Sequence, residues 1–438
     1  MLVAKLWPLG ESLMKTFNLA YQPTKTDYFL VLLLIFLSGS EVFTTGRQSE
    51  PLLIIILICI IPRMVLLWRD LEIWTFLAIS LSLTLIVLSQ TFFLDYVLIS
   101  TPFGFLVKLM VGAGIIGTVK FFRLAFVRTM VWVAILSLIF HLPSIILATI
   151  GIKLYEILTP ISELVGVESS GVNMRVNIFF HNFMGDGHKF RNSGIFWEPG
   201  AFSGYLIVTL ILLTTIRFDL PVPIFKLWQR ILVVTLLTTL STTGYLFLPF
   251  ALFLSRLAVI EAKGDDVSRF IWVTLFVLLL VPVSSLFWQL EFLGPKIQEL
   301  YARAEGNDAG WQLSRFGAVI FDLKHIQVRP FFGWSPANPE LYSLFPWLER
   351  YETGNGFSGY IRKMGIAGML IFIFSLWIGL GRVGLLKWSK TLTFSLIVLQ
   401  LNGQSFMNYP LYLGLHFIGL ERRPRDYHYH KSEACSND

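Results

Sequence analysis

RNSGIFWEPGAFSGYLIVTLILL, Arg191 to Leu213, sets a guanidinium, a carboxylate and a proline directly ahead of an apolar run. Proline suits the first position of a helix, where no N–H is needed, so Pro199 places Glu198 at a helix start. Arg191 and Glu198 stand seven residues apart, where water would meet lipid. That is an expensive place to keep charge without a use for it.

The rest of the chain supports a membrane reading of this stretch. Of 438 residues, 55% are hydrophobic and only 14% charged, a balance that excludes a soluble globular protein. The net charge of +7 does not indicate nucleic acid, because the basic residues punctuate the ends of apolar runs, which is how helices are oriented in a bilayer. Cys59 lies in an apolar segment and Cys435 in a polar tail, so neither a disulfide framework nor a metal site is expected.

At about 20 residues per crossing, the chain reads as an all-α polytopic bundle of about 10–12 spans with two large outer loops. Residues 1–25 form an interfacial segment without the pattern of a cleaved signal peptide. The first membrane helices occupy 26–150, with spans near 28–45, 51–68, 71–90, 96–118 and 126–149. Lys25, Arg69, Lys120, Arg123 and Arg128 at alternate ends put the N-terminus in the cytoplasm. The first outer loop is 151–195, followed by membrane helices over 196–288. Within these, 231–255 is flanked by basic residues on both sides. It reads as two short helices that enter and leave on the cytoplasmic side, broken at Ser241, Thr242, Thr243 and Gly244, whose hydroxyls can satisfy freed backbone groups. One long helix is the alternative. The second outer loop, 289–356, contains an amphipathic stretch with Trp311, Phe316, Val319, Ile320, Leu323 and Ile326 on its apolar face and Arg315, Asp322 and Lys324 elsewhere. The last membrane helices, 357–420, end in a pair broken at Asn402, Gly403, Gln404 and Pro410. A basic tail, 421–438, follows on the cytoplasmic side.

The candidate site residues lie at the outer ends of these spans. Arg191, Arg315 and Arg329 have the planar, permanently charged fork that suits phosphate; contact with ordinary lipid phosphates, or a tie between the loops, is the plainer account of any one of them. Glu198 is either a carboxylate favoured by the helix dipole or a general base, and both readings stand. His181, His188 and His325 are further proton carriers, without metal-ligand spacing. Asp186, Asp322 and Glu352 read as ordinary exposed carboxylates. Lys108, inside a span, is close enough to a helix end to snorkel. Asn355 could donate to a phosphate or sugar, while Gly354, Gly356 and Gly359 beside it allow close backbone approach or a tight helix crossing. Trp197, Trp311, Trp334 and Trp347 offer faces for stacking on sugar rings.

Four segments carry a resemblance when taken in order: RNSGIFWEPGAFSGYL (Arg191–Leu206), LTTLSTTGYLFLPFALFL (Leu237–Leu254), SRFGAVIFDLKHIQVRPFFGW (Ser314–Trp334) and TGNGFSGYIRKMGIAGMLIFIF (Thr353–Phe374). The chain resembles the Wzy-type polysaccharide repeat-unit polymerases and, beside them, the O-antigen ligases. The resemblance implies a helical membrane enzyme with an architecture similar to C-type glycosyltransferases, acting on undecaprenyl-diphosphate-linked oligosaccharides at the outer face of the bacterial plasma membrane. It also implies that Arg191 and Arg315 engage donor and acceptor. No cofactor is expected, since the lipid diphosphate is itself the activated leaving group; a flippase and a chain-length regulator are the expected partners. Ligases typically carry His followed by Asn near the mouth of the span after the second loop, whereas this chain has Gly354–Asn355, which weakens the ligase alternative. A transporter of lipid-linked sugars would need charges along a path through the bilayer, and the spans hold few.

Overall fold

A computed structural model of the chain describes residues 22–40, 43, 49–68, 70–94, 100–165, 174–178, 180–184, 190–275, 278, 315–335 and 355–421. Among the described residues the first helices are α1 (Lys25–Gly39), α2 (Ser49–Leu67), α3 (Asp70–Leu94), α4 (Ser100–Thr118) and α5 (Phe122–Thr149). Each lies within a few residues of an apolar run read from the sequence. Between α5 and the next long helix, α6 (Leu154–Val165) precedes an antiparallel hairpin, β1 (Met174–Asn177) with β2 (Asn182–Met184). Then come α7 (Pro199–Thr215), α8 (Val222–Thr238), α9 (Thr242–Ala262), α10 (Arg315–Val328), α11 (Gly356–Arg382), α12 (Lys387–Gln400) and α13 (Pro410–Gly414). Among the described residues the fold is thus helical apart from one small hairpin.

Among the described residues, Ile73–Gln90, Phe122–Thr149, Thr242–Ala262 and Gly356–Arg382 are long and apolar enough to cross a membrane, and Pro51–Leu67, Phe103–Thr118, Pro199–Thr215 and Pro410–Leu420 are shorter apolar helices. The outward faces fit such a setting. On α3 the exposed residues are Trp74, Leu77, Leu81, Leu85 and Leu88, and on α5 they are Trp132, Leu136, Ile139, Leu142 and Ile146. Both sets repeat at three- and four-residue intervals, one continuous stripe per helix, and a stripe this apolar fits lipid better than water. Inside the bundle α7 is buried on all sides, which makes it the central post.

Contacts at the two ends show how the helices alternate in direction. At one end Arg63 pairs with Asp27 (2.7 Å) and reaches the Thr118 carbonyl. There too Arg123 pairs with Glu421 (2.7 Å) and lies against the Thr215 carbonyl. Arg217 donates to Ser255 (3.1 Å), and Glu261 accepts from Ser389. This end therefore gathers the basic turns that the sequence places at alternate helix ends. At the other end Ser40 bridges Phe196, the Asn192 amide donates to the Thr238 carbonyl (3.0 Å), and Ser203 bonds Ser241 (2.9 Å).

The two expected broken pairs differ from one another. α8 and α9 have 17 and 21 residues, so they form a hairpin of ordinary helices rather than two short ones. The turn is Thr239–Ser241, with Leu240 at φ 47°, just ahead of the expected Ser241–Gly244. Ser241 and Thr242 instead begin α9, where the Ser241 hydroxyl accepts from the Gly244 amide. The open ends of this hairpin lie at the basic end, as the flanking charges required. The last pair breaks where expected: short 3-10 turns at Leu401–Gly403 and Phe406–Asn408 separate α12 from α13. The chain then returns through Leu415–Leu420 to Glu421 at the basic end.

α11 contains a discontinuity that its apolar sequence conceals. Gly365 sits at φ 69°, ψ 178°, outside the helical region, and the interruption frees backbone groups on both sides. The segment after α10 satisfies them: Trp334 and Ser335 donate to the carbonyls of Arg362 (2.8 Å) and Lys363 (3.1 Å), and the amides of Ile366 and Ala367 donate to Pro330 (2.8 Å) and Phe331 (3.1 Å). The Gln90 side chain of α3 donates to the carbonyls of Phe332 and Lys363. A broken helix at membrane depth is tolerated only where protein or a wet cavity takes over these groups.

Candidate functional site

The candidate site lies at the loop end, where the N-termini of α7, α9, α11 and α13 meet. Helix N-termini present N–H groups and the positive end of the macrodipole, so their convergence favours an anion. α7 begins on Glu198, whose extended backbone (φ −155°, ψ 160°) is that of an N-cap, yet its carboxylate makes no capping bond. It accepts instead from the Gln404 side chain, delivered by the break between α12 and α13. The local account of Glu198 as a helix-start carboxylate is therefore only half met, because the side chain is directed toward the break.

Gln404 is held from behind. Its carbonyl lies so close to Gly356, the first residue of α11, that a Cβ there would stand 2.1 Å from it. Gly356 thus serves the tight crossing foreseen for the glycines beside Asn355. Asn355 itself caps α11: its Oδ1 accepts from the amides of Phe357 (3.0 Å) and Ser358 (2.9 Å), and its Nδ2 faces Asn402. The residue expected to meet substrate is committed on both ends of its carboxamide to the protein.

Arg191 is half-buried, with Nε donating to the Thr239 carbonyl at 3.3 Å in the α8–α9 turn. Thr243, at the start of α9, packs on Gly403, so the turn that holds Arg191 adjoins the break that holds Glu198. On the other flank Trp197 and Tyr409 pack together with ring centroids 4.7 Å apart and planes tilted by 31°. Beside them Lys363 Nζ donates to Asn408 Oδ1 at 2.9 Å. Arg191, Glu198 and Asn355 are thus brought together around the break between α12 and α13. Arg329 is not at this mouth: its guanidinium lies over the Trp334 ring, 4.5 Å from the centroid, beside the α11 break. α10 begins at Arg315, and that side chain lies outside the described residues, as do Asp186, His188, Trp311, Trp347, Glu352 and Gly354.

One expectation is corrected on α10. Asp322, read as an ordinary exposed carboxylate, is fully buried; it pairs with Arg362 Nε at 2.9 Å and accepts from Ser358 Oγ at 2.6 Å. Leu323, assigned to the apolar face, is 49% exposed. The helix rests on α11 through this polar contact. His325 is buried with Trp334 over it, and the Trp334 indole donates to the His325 carbonyl (2.8 Å). His181 is buried among Phe140, His141 and Phe183, and this burial, with His141 as a lesser cause, pushes its pKa down to about 3. It is neutral at physiological pH and packs against α5.

Gln404 and Lys363 carry no chemical signal in the sequence: Gln404 is legible there as a break marker, and Lys363 stands in a span whose interruption carries no composition signal beyond one glycine. Among the described residues no group of three or more His, Cys, Asp or Glu is placed to hold a metal ion. No protein-family model matches the chain, and no curated protein matches it.

Proposed function

We propose that this chain is a membrane glycosyltransferase that polymerises undecaprenyl-diphosphate-linked oligosaccharide units into a surface polysaccharide such as an O-antigen, capsule or exopolysaccharide, at the outer face of the bacterial plasma membrane. The observation that carries the reading is Glu198 itself: a helix-start carboxylate that leaves its cap unmade, directed onto a broken helix pair, at a mouth of converging helix N-termini with Arg191 on its flank. The order of the four resembling segments supports it.

In this mechanism an acceptor hydroxyl attacks the anomeric carbon of the donor glycan. Its oxygen forms the new glycosidic bond while the bond from that carbon to the phosphate oxygen breaks, and undecaprenyl diphosphate leaves with the electron pair. Glu198 takes the hydroxyl proton. Gln404, donating to the carboxylate, fixes its orientation. Arg191, Arg315 from the second outer loop and the helix N-termini stabilise the charge that grows on the departing diphosphate; Arg329, which follows α10 and lies over Trp334 beside the α11 break, is the remaining guanidinium candidate. The apolar stripes leave both polyprenyl chains in the bilayer throughout.

The test is polymer length in cells carrying Arg191→Ala, Arg315→Ala or Glu198→Gln, each checked for membrane insertion. Loss of long chains with accumulation of single lipid-linked units is the expected result. Normal chain length in the Arg191 or Arg315 variant overturns the assignment, and normal length in Glu198→Gln returns that carboxylate to a structural role.

A further inference from the structure

At the basic end, away from the Glu198 mouth, Arg63 pairs with Asp27, Arg123 with Glu421 and Arg269 with Asp266. Arg217 and Arg256 break this pattern. Arg217, just past α7, donates to Ser255 (3.1 Å) and lies 4.5 Å from the Phe225 ring centroid; Arg256, the residue after Ser255 on α9, lies 5.1 Å from the Trp272 centroid. Among the described residues neither guanidinium has a carboxylate partner, since Glu261 accepts from Trp388 and Ser389 and Asp266 is taken by Arg269. Burial, and after it the charge of Arg256, holds Arg217 below the ordinary arginine range, so the two cations lie within each other's field. Like charges gathered in this way repel until an anion joins them.

The depth of the pair selects the anion. Arg217 stands two residues beyond the last residue of α7, and Arg256 six residues before the end of α9, about 9 Å inside it. One arginine at such a depth is explained by snorkelling, with its stem on hydrocarbon and its head among headgroups. Two from different elements, joined through Ser255 and each lying over an aromatic ring, present a combined donor set instead. The side chains around them are apolar and open: Phe218 beside Arg217, Leu252 one turn before Arg256, and Phe270 and Ile271 beside Trp272 are all exposed. Free phosphate gains nothing from such neighbours. A phospholipid places its phosphate at the level of interfacial tryptophan and its chains against apolar side chains below.

We propose that Arg217 and Arg256 form a site for the phosphate of an anionic phospholipid, which ties the end of α7 to α9 at the basic end of the bundle. The probe is phosphatidylglycerol, with zwitterionic phosphatidylcholine as comparison, scored as lipid retained on the full-length detergent-purified protein in native mass spectrometry. Wild type is expected to prefer phosphatidylglycerol, with each guanidinium contributing about fivefold to that preference. Arg217→Gln and Arg256→Gln should each lose their share; Arg256 is exposed, so its replacement leaves the packing in place. Lys25→Gln, which removes an exposed cation of α1 at the same end, should keep the preference. Equal retention of the two lipids by wild type, an undiminished preference in folded Arg256→Gln, or an equal loss in Lys25→Gln overturns the site. Displacement of bound phosphatidylglycerol by inorganic phosphate overturns the choice of a lipid over a free anion.

Discussion

Replacing Gly365 with alanine should open the α11 break and detach the segment that fills it. The backbone at φ 69°, ψ 178° belongs to a region essentially reserved for glycine, and holding alanine there costs about 1–3 kcal/mol. The new Cβ would stand 2.1 Å from the Phe331 oxygen, 2.4 Å from its carbonyl carbon and 2.6 Å from the Phe332 nitrogen. These are backbone atoms that no rotamer change can move aside, so the 330–335 segment must retreat. Its retreat breaks the bonds from Ile366 to Pro330 and from Ala367 to Phe331, at about 1 kcal/mol each. The sum is about 3–5 kcal/mol, and its lower bound corresponds to about a 150-fold increase in the open population. Hydrogen exchange of the detergent-solubilised protein, read on a peptide covering Arg362–Met369, should accelerate by that factor while peptides from α5 keep their protection. Unchanged exchange across the Gly365 peptide in Gly365→Ala would refute the account of the break.

Glu421→Ala leaves the Arg123 guanidinium buried without its carboxylate and should destabilise the protein by about 3–5 kcal/mol; the double variant Arg123→Met, Glu421→Met should recover most of the loss of detergent thermostability. Gln404→Leu removes the donor that orients the Glu198 carboxylate and should shorten the polymer while the protein still inserts in the membrane, whereas normal chain length in that variant would remove Gln404 from the site. His181 has its folded pKa at about 3 against an ordinary 6.5. The unfolded chain therefore binds more protons between those values, and the contribution of His181 is fully present above pH 6.5 and declines as pH falls toward 3. His181→Phe should flatten the fall in melting temperature across that window, and a wild-type pH dependence in the variant would remove His181 as its source.

Single apolar runs were the most legible part of the sequence, because one crossing helix must satisfy its own backbone and so announces itself by length and hydropathy. The break at 401–410 was legible too, through Asn402, Gly403 and Pro410. The break at Gly365 was not: what makes it possible is a distant segment and Gln90 supplying the missing partners, and hydropathy contains no trace of either. Asp322 shows the same limit. Its neighbours follow an amphipathic spacing that turns the carboxylate outward, but Arg362 and Ser358, from the next described helix, turn it inward. At the mouth, Arg191 and Glu198 were recognisable as charges at the edge of lipid, while Gln404 and Lys363 became chemically meaningful only once the helices placed them beside those charges.

The Arg123–Glu421 pair has a consequence in time. Arg123 opens α5, and the carboxylate that neutralises it arrives 298 residues later. At ordinary elongation rates that interval is about 15–60 s, during which the early helices are already made but hold a guanidinium with no permanent counter-ion. The first five helices cannot reach their final packing as they emerge. They must wait, loosely associated, until the last turn swings back to them, so the final residues of the bundle act as the clasp that closes it, and any pause in synthesis after α5 prolongs the period in which the chain is open to misassembly and proteolysis.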